Sequence, residues 1–159
     1  MWTSVAFLAA LSLPVGEAGN LSLTNVRTTY GILGAPRTDT KFFPGDDFVF
    51  AFDAEGVTPD DSGTVRYSIG VEVRDKNGKV KFRQAPAKHE AHNTLGGTKL
   101  PTFAQLKIGL DAPPGDYKVK VTFTDLVAKA SKSLTRSYTL MPAQFALVRL
   151  STTADAEEK

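Results

Sequence analysis

The chain has 159 residues, 42% of them hydrophobic, and its 19 Lys and Arg residues against 17 Asp and Glu residues give a net charge of +2. This length supports one well-packed domain rather than two. The small net charge gives no field of the strength expected of a protein that binds nucleic acid or an anionic membrane. Cysteine is absent, which excludes disulfides, Cys-ligated metals, thiol catalysis and a lipid-modified cysteine.

The first stretch, MWTSVAFLAALSLPVGEAGN, has an uncharged lead, an apolar run and then small residues. This order is typical of an export signal, and the run is shorter than the roughly 20 residues of a membrane span. Gly16 and Ala18 hold the two positions where a signal peptidase requires small side chains, so we expect residues 1–18 to be removed before Gly19. The sequence therefore predicts an exported protein that is periplasmic, at the cell surface or extracellular. The alternative is an uncleaved N-terminal segment.

Beyond residue 20, short runs of period two separated by turn residues indicate an antiparallel sheet protein. The clearest run is TVRYSIGVEVRD at 64–75, where apolar residues at every second position form one face. Asn77 and Gly78 permit a tight hairpin, after which the chain returns at 80–82. Other alternating runs predicted as strands lie at 21–23, 48–52, 106–110, 117–123 and 134–140. The segment QFALVRL at 144–150 either extends the last strand past Pro142 or forms an additional edge strand.

No segment of a dozen residues shows a helical period. About seven strands with frequent turn signals predict an all-β fold, a single antiparallel β-sandwich of two sheets. We expect this domain to span residues 19–150. Residues 151–159, STTADAEEK, are polar and are predicted to be a disordered tail.

One stretch resembles a known fold family. LDAPPGDYKVKVTFTD is similar to the region before and through the penultimate strand of immunoglobulin-like domains, where an Asp, a Gly and a Tyr precede an alternating strand. The resemblance implies an immunoglobulin-like sandwich in which the Tyr117 hydroxyl closes a corner onto backbone near residues 111–114. The chain lacks the cysteine pair and the core tryptophan of antibody domains, since its only tryptophan is Trp2.

A looser resemblance covers three stretches. PGDDFVFAFDAEG, LGGTKLP and PPGDYKVKVTFTD, in this order, resemble uncharacterised exported bacterial β-sandwich proteins of unknown function. This resemblance implies a fold and a compartment and brings no activity.

Both histidines, His89 and His92, lie in KHEAHNTLGG. The predicted strand order places them at one end of the sandwich with five carboxylates, those of Asp53, Glu55, Asp60, Asp61 and Asp125. Histidine with carboxylate suits zinc or copper, and carboxylates alone suit calcium. However, His89 and His92 are one residue closer than the metalloprotease pattern requires, and positions three apart on a regular strand face opposite sides. A metal site at His89 and His92, or calcium at Asp60 and Asp61, is the alternative to two solvated loop histidines.

Signals for catalysis are weak. The chain has no serine in a nucleophile elbow and no cysteine, and Gly96 and Gly97 do not lie between a strand and a helix as a phosphate loop requires. We therefore predict that the chain is not an enzyme and needs no cofactor.

The predicted connection from Gln84 to Phe103 is unusually long, and such loops are uncommon unless functional or disordered. Pro86 and Pro101 stiffen its ends. The candidate partner-binding residues are Leu95, Gly96, Gly97, Leu100 and Phe103.

The resulting functional hypothesis is a non-catalytic binding or assembly module of the bacterial cell envelope. It would contact a protein partner or a multi-subunit assembly, but no nucleic acid and no membrane span, through loop 84–103 or an edge strand such as QFALVRL. The alternative for the loop is a plain crossover between sheets, with its apolar residues tucked into the sandwich.

Overall fold

A computed structural model describes residues 20–92 and 96–144 of the chain. The predicted export signal, Leu95, the segment 145–150 and the polar tail lie outside the described residues. The described part is all-β and contains no helix, so no helix long and apolar enough to cross a membrane occurs in it.

Eight strands follow one another along the chain. They are β1 (Ser22–Thr29), β2 (Lys41–Phe42), β3 (Asp47–Glu55), β4 (Thr64–Asp75), β5 (Val80–His92), β6 (Lys99–Lys107), β7 (Gly115–Asp125) and β8 (Ala130–Leu140). Strand β4 has the bounds of the clearest alternating run, and β7 extends the predicted run at 117–123 by two residues at each end. The two-residue strand β2 was not predicted, because so short a strand has no period to detect.

The strands form two sheets. One has three strands in the order β1-β3-β6, and the other has five in the order β2-β8-β7-β4-β5. All pairings are antiparallel except that of β2 with β8, which is parallel. The prediction of two sheets is confirmed, and the prediction of purely antiparallel pairing is wrong at this one short strand.

The core lies between the two sheets. Strand β1 faces β8, and β6 faces β4. Alternate side chains of β3 (Phe48, Phe50, Phe52) meet those of β4 and β7, including Ile69, Val71, Val119, Val121 and Phe123, all of them buried. The period-two pattern creates this interior because every second side chain of a strand points to the same face.

Aromatic rings run through this core. The Phe52 ring packs edge-on against Phe123 with their centroids 6.3 Å apart. The centroid of the Phe48 ring lies 5.0 Å from that of Phe42 and 5.3 Å from that of Tyr138. Burial raises the pKa of Tyr138 to about 12, with a further contribution from Tyr117. The phenylalanines at every second position of β3 thus bind the two sheets to each other.

The predicted strand at 106–110 ends early. Leu106 and Ile108 are buried as expected, whereas Leu110 is 80% exposed. Strand β6 stops at Lys107, and the chain then turns, with the Ala112 amide donating to the Gly109 carbonyl. The predicted strand therefore extends past the end of β6, because Leu110 continues the alternation in the sequence but not in the structure.

The long loop predicted for residues 84–103 is wrong. Most of this segment belongs to two strands, since β5 runs on to His92 and β6 begins at Lys99. Strand β5 is at the edge of its sheet and has no buried residue. A strand that is exposed on both faces shows no hydrophobic alternation, so its sequence looks like that of a loop.

The two prolines that indicated a loop lie in edge strands. Proline lacks an N–H donor and is tolerated at sheet edges and at bulges. Pro86 sits where the β4–β5 register shifts between Ile69 and Val71, facing Gly70, where a Cβ atom would lie 3.3 Å from Pro86 Cγ. Pro101 lies in β6, at the edge of the other sheet.

One charged side chain is fully enclosed. Asp125, at the end of β7, has no exposed surface. One of its carboxylate oxygens accepts from the amides of Val127 and Ala128, and the other from the amide of Thr58 at 2.7 Å. The Asp125 carboxylate therefore links the β7–β8 turn to the connection after β3 through hydrogen bonds to backbone amides.

Candidate functional site

Strand β5 is the most exposed long element of the described chain. It has 13 residues, pairs with β4 on one side only, and has no strand on its outer side among the described residues. The backbone N–H and C=O groups along such an edge are available to another strand. We call this side of β5 the open edge.

The inner face of β5 extends past the smaller sheet. The side chains of β5 on this face belong to Phe82, Gln84, Ala87 and His89, which pair with inward residues of β4. The Phe82 side chain is 42% exposed. Phe82 adjoins other apolar side chains, and a contiguous exposed apolar surface is a candidate for contact with another molecule.

An apolar groove begins beside Phe82. It has a volume of about 340 Å³ and is bounded by the start of β5, the end of β6 and the following turn. Its apolar lining includes Val73, Phe82, Leu106, Ile108, Ala112 and Pro113. Two lysines, Lys81 and Lys107, and Asp111 stand at its rim. The groove can take up one or two apolar side chains next to the open edge.

The β4–β5 hairpin is strongly basic. Residues 64–92 contain seven Lys and Arg residues against three Asp and Glu residues, whereas the whole chain has a net charge of only +2. The carboxylate of Glu72 is shared by Arg83 and Arg74, which hold its pKa below the usual value. The excess of positive charge is therefore concentrated on the hairpin that carries the open edge.

His89 lies on the inner face of β5. It pairs with Tyr67, its ring stacks on the Tyr67 ring at 5.3 Å, and Tyr67 in turn stacks on Phe123. The imidazole thus caps a row of rings that leads into the core. This contact gives His89 a packing partner.

His92 lies on the other face of β5. It pairs with Thr64, and its Nδ1 is 2.9 Å from Thr64 Oγ1. Because His89 and His92 are three apart on a regular strand, their rings point to opposite sides of the sheet. The geometry therefore does not bring the two rings together as a shared zinc or copper site requires, and the metal-binding alternative stays a prediction.

A chain of polar groups continues from His92. Thr64 Oγ1 lies 2.9 Å from Ser62 Oγ, and Ser62 Oγ donates to Asp60 Oδ1 at 2.6 Å. The same carboxylate oxygen accepts from the amides of Ser62 and Thr64, and the other oxygen meets Arg66 at 3.1 Å. The hydrogen bonds from Ser62 and Thr64 and the charge of Arg66 lower the pKa of Asp60.

The carboxylates expected beside the histidines are mostly engaged elsewhere. Asp53 is buried. Its Oδ2 forms an ion pair with Lys99 Nζ at 3.0 Å and accepts a hydrogen bond from Asn25 Nδ2 at 3.2 Å. Burial raises the pKa of Asp53, but the contributions of Lys99 and Asn25 outweigh it and the pKa is lowered. Glu55 also meets Lys99. In the described ranges, no three His, Asp or Glu side chains are grouped as a metal site requires.

The predicted partner-binding residues do not form one surface. Leu100 is only 9% exposed, belongs to the core and pairs with Ala54. Phe103 is 39% exposed and lies on the outward face of β6. Gly96 and Gly97 have positive φ angles in the connection to β6. Leu100 therefore fits the crossover interpretation, whereas Phe103, Gly96 and Gly97 are exposed.

Tyr117 lies at the start of β7. Its ring is buried and stacks on Tyr138 at 5.3 Å. Its hydroxyl donates to the Pro113 carbonyl at 2.6 Å, within the segment that the sequence indicated.

Sequence reasoning missed Phe82 and the groove as a site. Phe82 was placed correctly in the returning strand, but the groove depends on how far β5 extends past the smaller sheet. The excess of basic residues in 64–92 was visible in the sequence and would have drawn attention to this hairpin.

No protein-family model matches the chain. No curated protein matches it either.

Several solved structures resemble parts of the fold. An alkylpurine DNA glycosylase of Pseudomonas fluorescens, bound to DNA with an abasic site analogue, has a TM-score of 0.45 at 13% identity over 78% of this chain and 31% of that chain. A family 123 glycoside hydrolase of Clostridium perfringens has a TM-score of 0.45 at 12% identity over 77% of this chain and 27% of that chain. The chain therefore spans about a third or less of these two proteins.

A CARDB domain of a Pyrococcus furiosus protein, in complex with di-metal ions, has a TM-score of 0.41 at 10% identity over 86% of this chain and all of that chain. These likenesses concern the β-rich fold and transfer no ligand or activity.

The prediction that the chain is not an enzyme is corrected in view of these structures. Two of the proteins that contain a similar fold are enzymes, a glycosylase and a glycoside hydrolase. The absence of familiar catalytic motifs was too weak a reason for that prediction, because catalytic groups are recognised by their geometry and not by motif alone. The similarity itself assigns no reaction to this chain.

Proposed function

We propose that the chain is a binding or assembly domain of the bacterial cell envelope that takes up an extended segment of a protein partner along the open edge of β5. The observation that carries this proposal is the 13-residue edge strand without a buried residue, beside an apolar groove of about 340 Å³. The place in the envelope rests on the export signal expected at residues 1–18.

Addition of a strand to an exposed sheet edge is a common way of binding a peptide. Main-chain hydrogen bonds supply affinity, and pockets for alternate side chains supply specificity. The open edge offers the main-chain groups, and the groove beside Phe82 offers the first pocket. Both features lie on the same strand, which favours an extended peptide as the ligand.

The charge of the hairpin defines the partner further. Lys81, Arg83 and Lys88 lie along β5, where Lys81 pairs with Asp75 and Arg83 with Glu72 of β4, and Glu90 is the only carboxylate of the strand. A partner segment with acidic residues between apolar ones complements this edge. Two copies of the same basic edge repel each other, and lysines on edge strands are a known protection against self-association. The charge therefore favours a different, acidic partner over a second copy.

Selection from a library of extended 12-residue peptides tests the proposal. Peptides that bind the purified protein are expected to alternate apolar and acidic residues and to slow hydrogen exchange of β5 amides. Phe82→Asp is expected to weaken them at least tenfold, because it removes an apolar contact worth about 1.4 kcal/mol and adds a repelling charge.

Phe103→Asp is the matched control, since Phe103 is about as exposed as Phe82 but lies on the other sheet. We expect it to leave peptide binding unchanged. Loss of binding in Phe103→Asp with full binding in Phe82→Asp would place the site on β6 and contradict the proposal. Selective binding of an oligonucleotide instead of a peptide would also contradict it.

We also propose that the sandwich is of the immunoglobulin-like type. The support is the corner at Tyr117, on the penultimate strand, whose hydroxyl reaches backbone four residues upstream.

Tyr117→Phe tests the corner. The variant keeps the ring and its stacking on Tyr138, and loses one buried hydrogen bond, so we expect the free energy of unfolding to fall by about 1 kcal/mol. Urea denaturation measures this change, with the exposed Tyr30 as the control in Tyr30→Phe. Equal stability of the two variants would contradict a structural role of the Tyr117 hydroxyl.

A further inference from the structure

The polar chain from His92 to Asp60 has only one consistent arrangement of protons. A carboxylate accepts and does not donate, and the lowered pKa of Asp60 keeps it ionised near neutral pH. The Ser62 hydroxyl therefore gives its single proton to Asp60. Ser62 Oγ has no further proton and can only accept at its contact with Thr64.

The same argument continues to the histidine. Thr64 lies 2.9 Å from Ser62 Oγ and must supply the proton of that contact. The Thr64 hydroxyl has then no proton for His92, so His92 Nδ1 must donate to Thr64 Oγ1. In the neutral ring, a proton on Nδ1 leaves Nε2 with a bare lone pair.

His92 stands at the end of the open edge. It is the last described residue of β5, its side chain is exposed, and its face of the sheet is the one that carries Arg66 and Glu90. We infer that His92 Nε2 is a fixed hydrogen-bond acceptor that recognises an N–H or O–H donor on the segment bound along β5. This inference rests on the proposed function for the ligand, but the state of the ring is a property of the free protein.

The ring state is measured first, without any ligand. Nitrogen NMR, at a pH where the His92 ring is neutral, is expected to show a proton on Nδ1 and none on Nε2. Ser62→Ala frees Thr64 to donate to the ring, and Thr64→Val removes the partner altogether, so both variants should shift His92 toward the opposite tautomer. Thr122→Val, which removes a hydroxyl paired with Ser133 on an exposed face, should leave His92 unchanged.

The recognition role is measured with the library peptides selected on the wild-type protein. His92→Asn keeps a donor toward Thr64 but lacks the Nε2 acceptor, and is expected to weaken these peptides fivefold to tenfold. Thr122→Val, on β7 and away from the open edge, is the control and should bind them as the wild type does.

The outcomes separate the two proposals. A proton on His92 Nε2 in the free protein would overturn the inference while the strand-addition proposal stands. The expected ring state with full binding to His92→Asn would overturn the recognition role alone. If no peptide binds along β5, the proposed function is wrong. The recognition role is then wrong as well, even when the ring state is as inferred.

Discussion

Asp125→Ala is expected to lower the free energy of unfolding by about 4 kcal/mol. The carboxylate has no exposed surface and accepts three backbone amides, those of Thr58, Val127 and Ala128. A hydrogen bond to a charged group contributes about 1.5–3 kcal/mol, and the loss of one acceptor here leaves three donors without a partner. Urea unfolding followed by far-UV circular dichroism measures the change in the free energy of unfolding. The melting temperature should fall by about 10 °C.

Two variants make this result specific. Asp125→Asn keeps the size and one acceptor oxygen but turns an NH₂ group toward backbone donors, so we expect about half of the loss. Asp61→Ala removes an aspartate from an exposed turn nearby and should change stability by less than about 0.5 kcal/mol. Equal stability of Asp125→Ala and Asp61→Ala would show that the enclosed carboxylate does not hold the two connections together.

Leu100→Asp is expected to lower the free energy of unfolding by more than about 4 kcal/mol. The leucine lies in the core opposite Ala54, so the change loses about 2–3 kcal/mol of apolar burial and places a carboxylate where water does not reach it. The expected result is a protein that is largely unfolded at 25 °C, and a denaturant titration measures it. This outcome favours the crossover interpretation of the β5–β6 region.

Leu100→Ala keeps the measurement possible if the aspartate variant does not fold, and should cost about 2–3 kcal/mol. Gln105→Asp introduces the same charge on the outward face of β6 and should cost less than about 1 kcal/mol. A stable Leu100→Asp protein would contradict the core position of Leu100 and return it to the candidate partner-binding residues.

The sequence predicted best where one face of a strand is buried. Strand β4 was placed to the residue and β7 to within two residues at each end, because apolar residues such as Val71 and Val121 alternate with polar ones such as Glu72 and Lys120. The same reasoning failed on β5, where Phe82 and Lys88 are both exposed. Water on both faces removes the period, and Pro86 then suggests a loop.

The candidate site was only partly accessible to sequence reasoning. The stretch 88–97 was singled out because it holds both histidines, and the opposite orientation of residues three apart on a strand was foreseen. The contact of His92 with Thr64 depends on the register of β4 against β5, which is set by a bulge at Pro86. A bulge shifts every later pair by one residue, and Pro86 was interpreted as a loop residue although proline also occurs at bulges of edge strands.

The parallel pairing of β2 with β8 has a consequence for biosynthesis. Phe42 lies opposite Leu140, so most of the described chain lies between these two strands. Contacts of such long separation form slowly, because the entropy cost of closing the long loop must be met before the contact stabilises it. The β2–β8 pairing cannot form until Leu140 has left the ribosome, so this corner of the sandwich is completed late in synthesis.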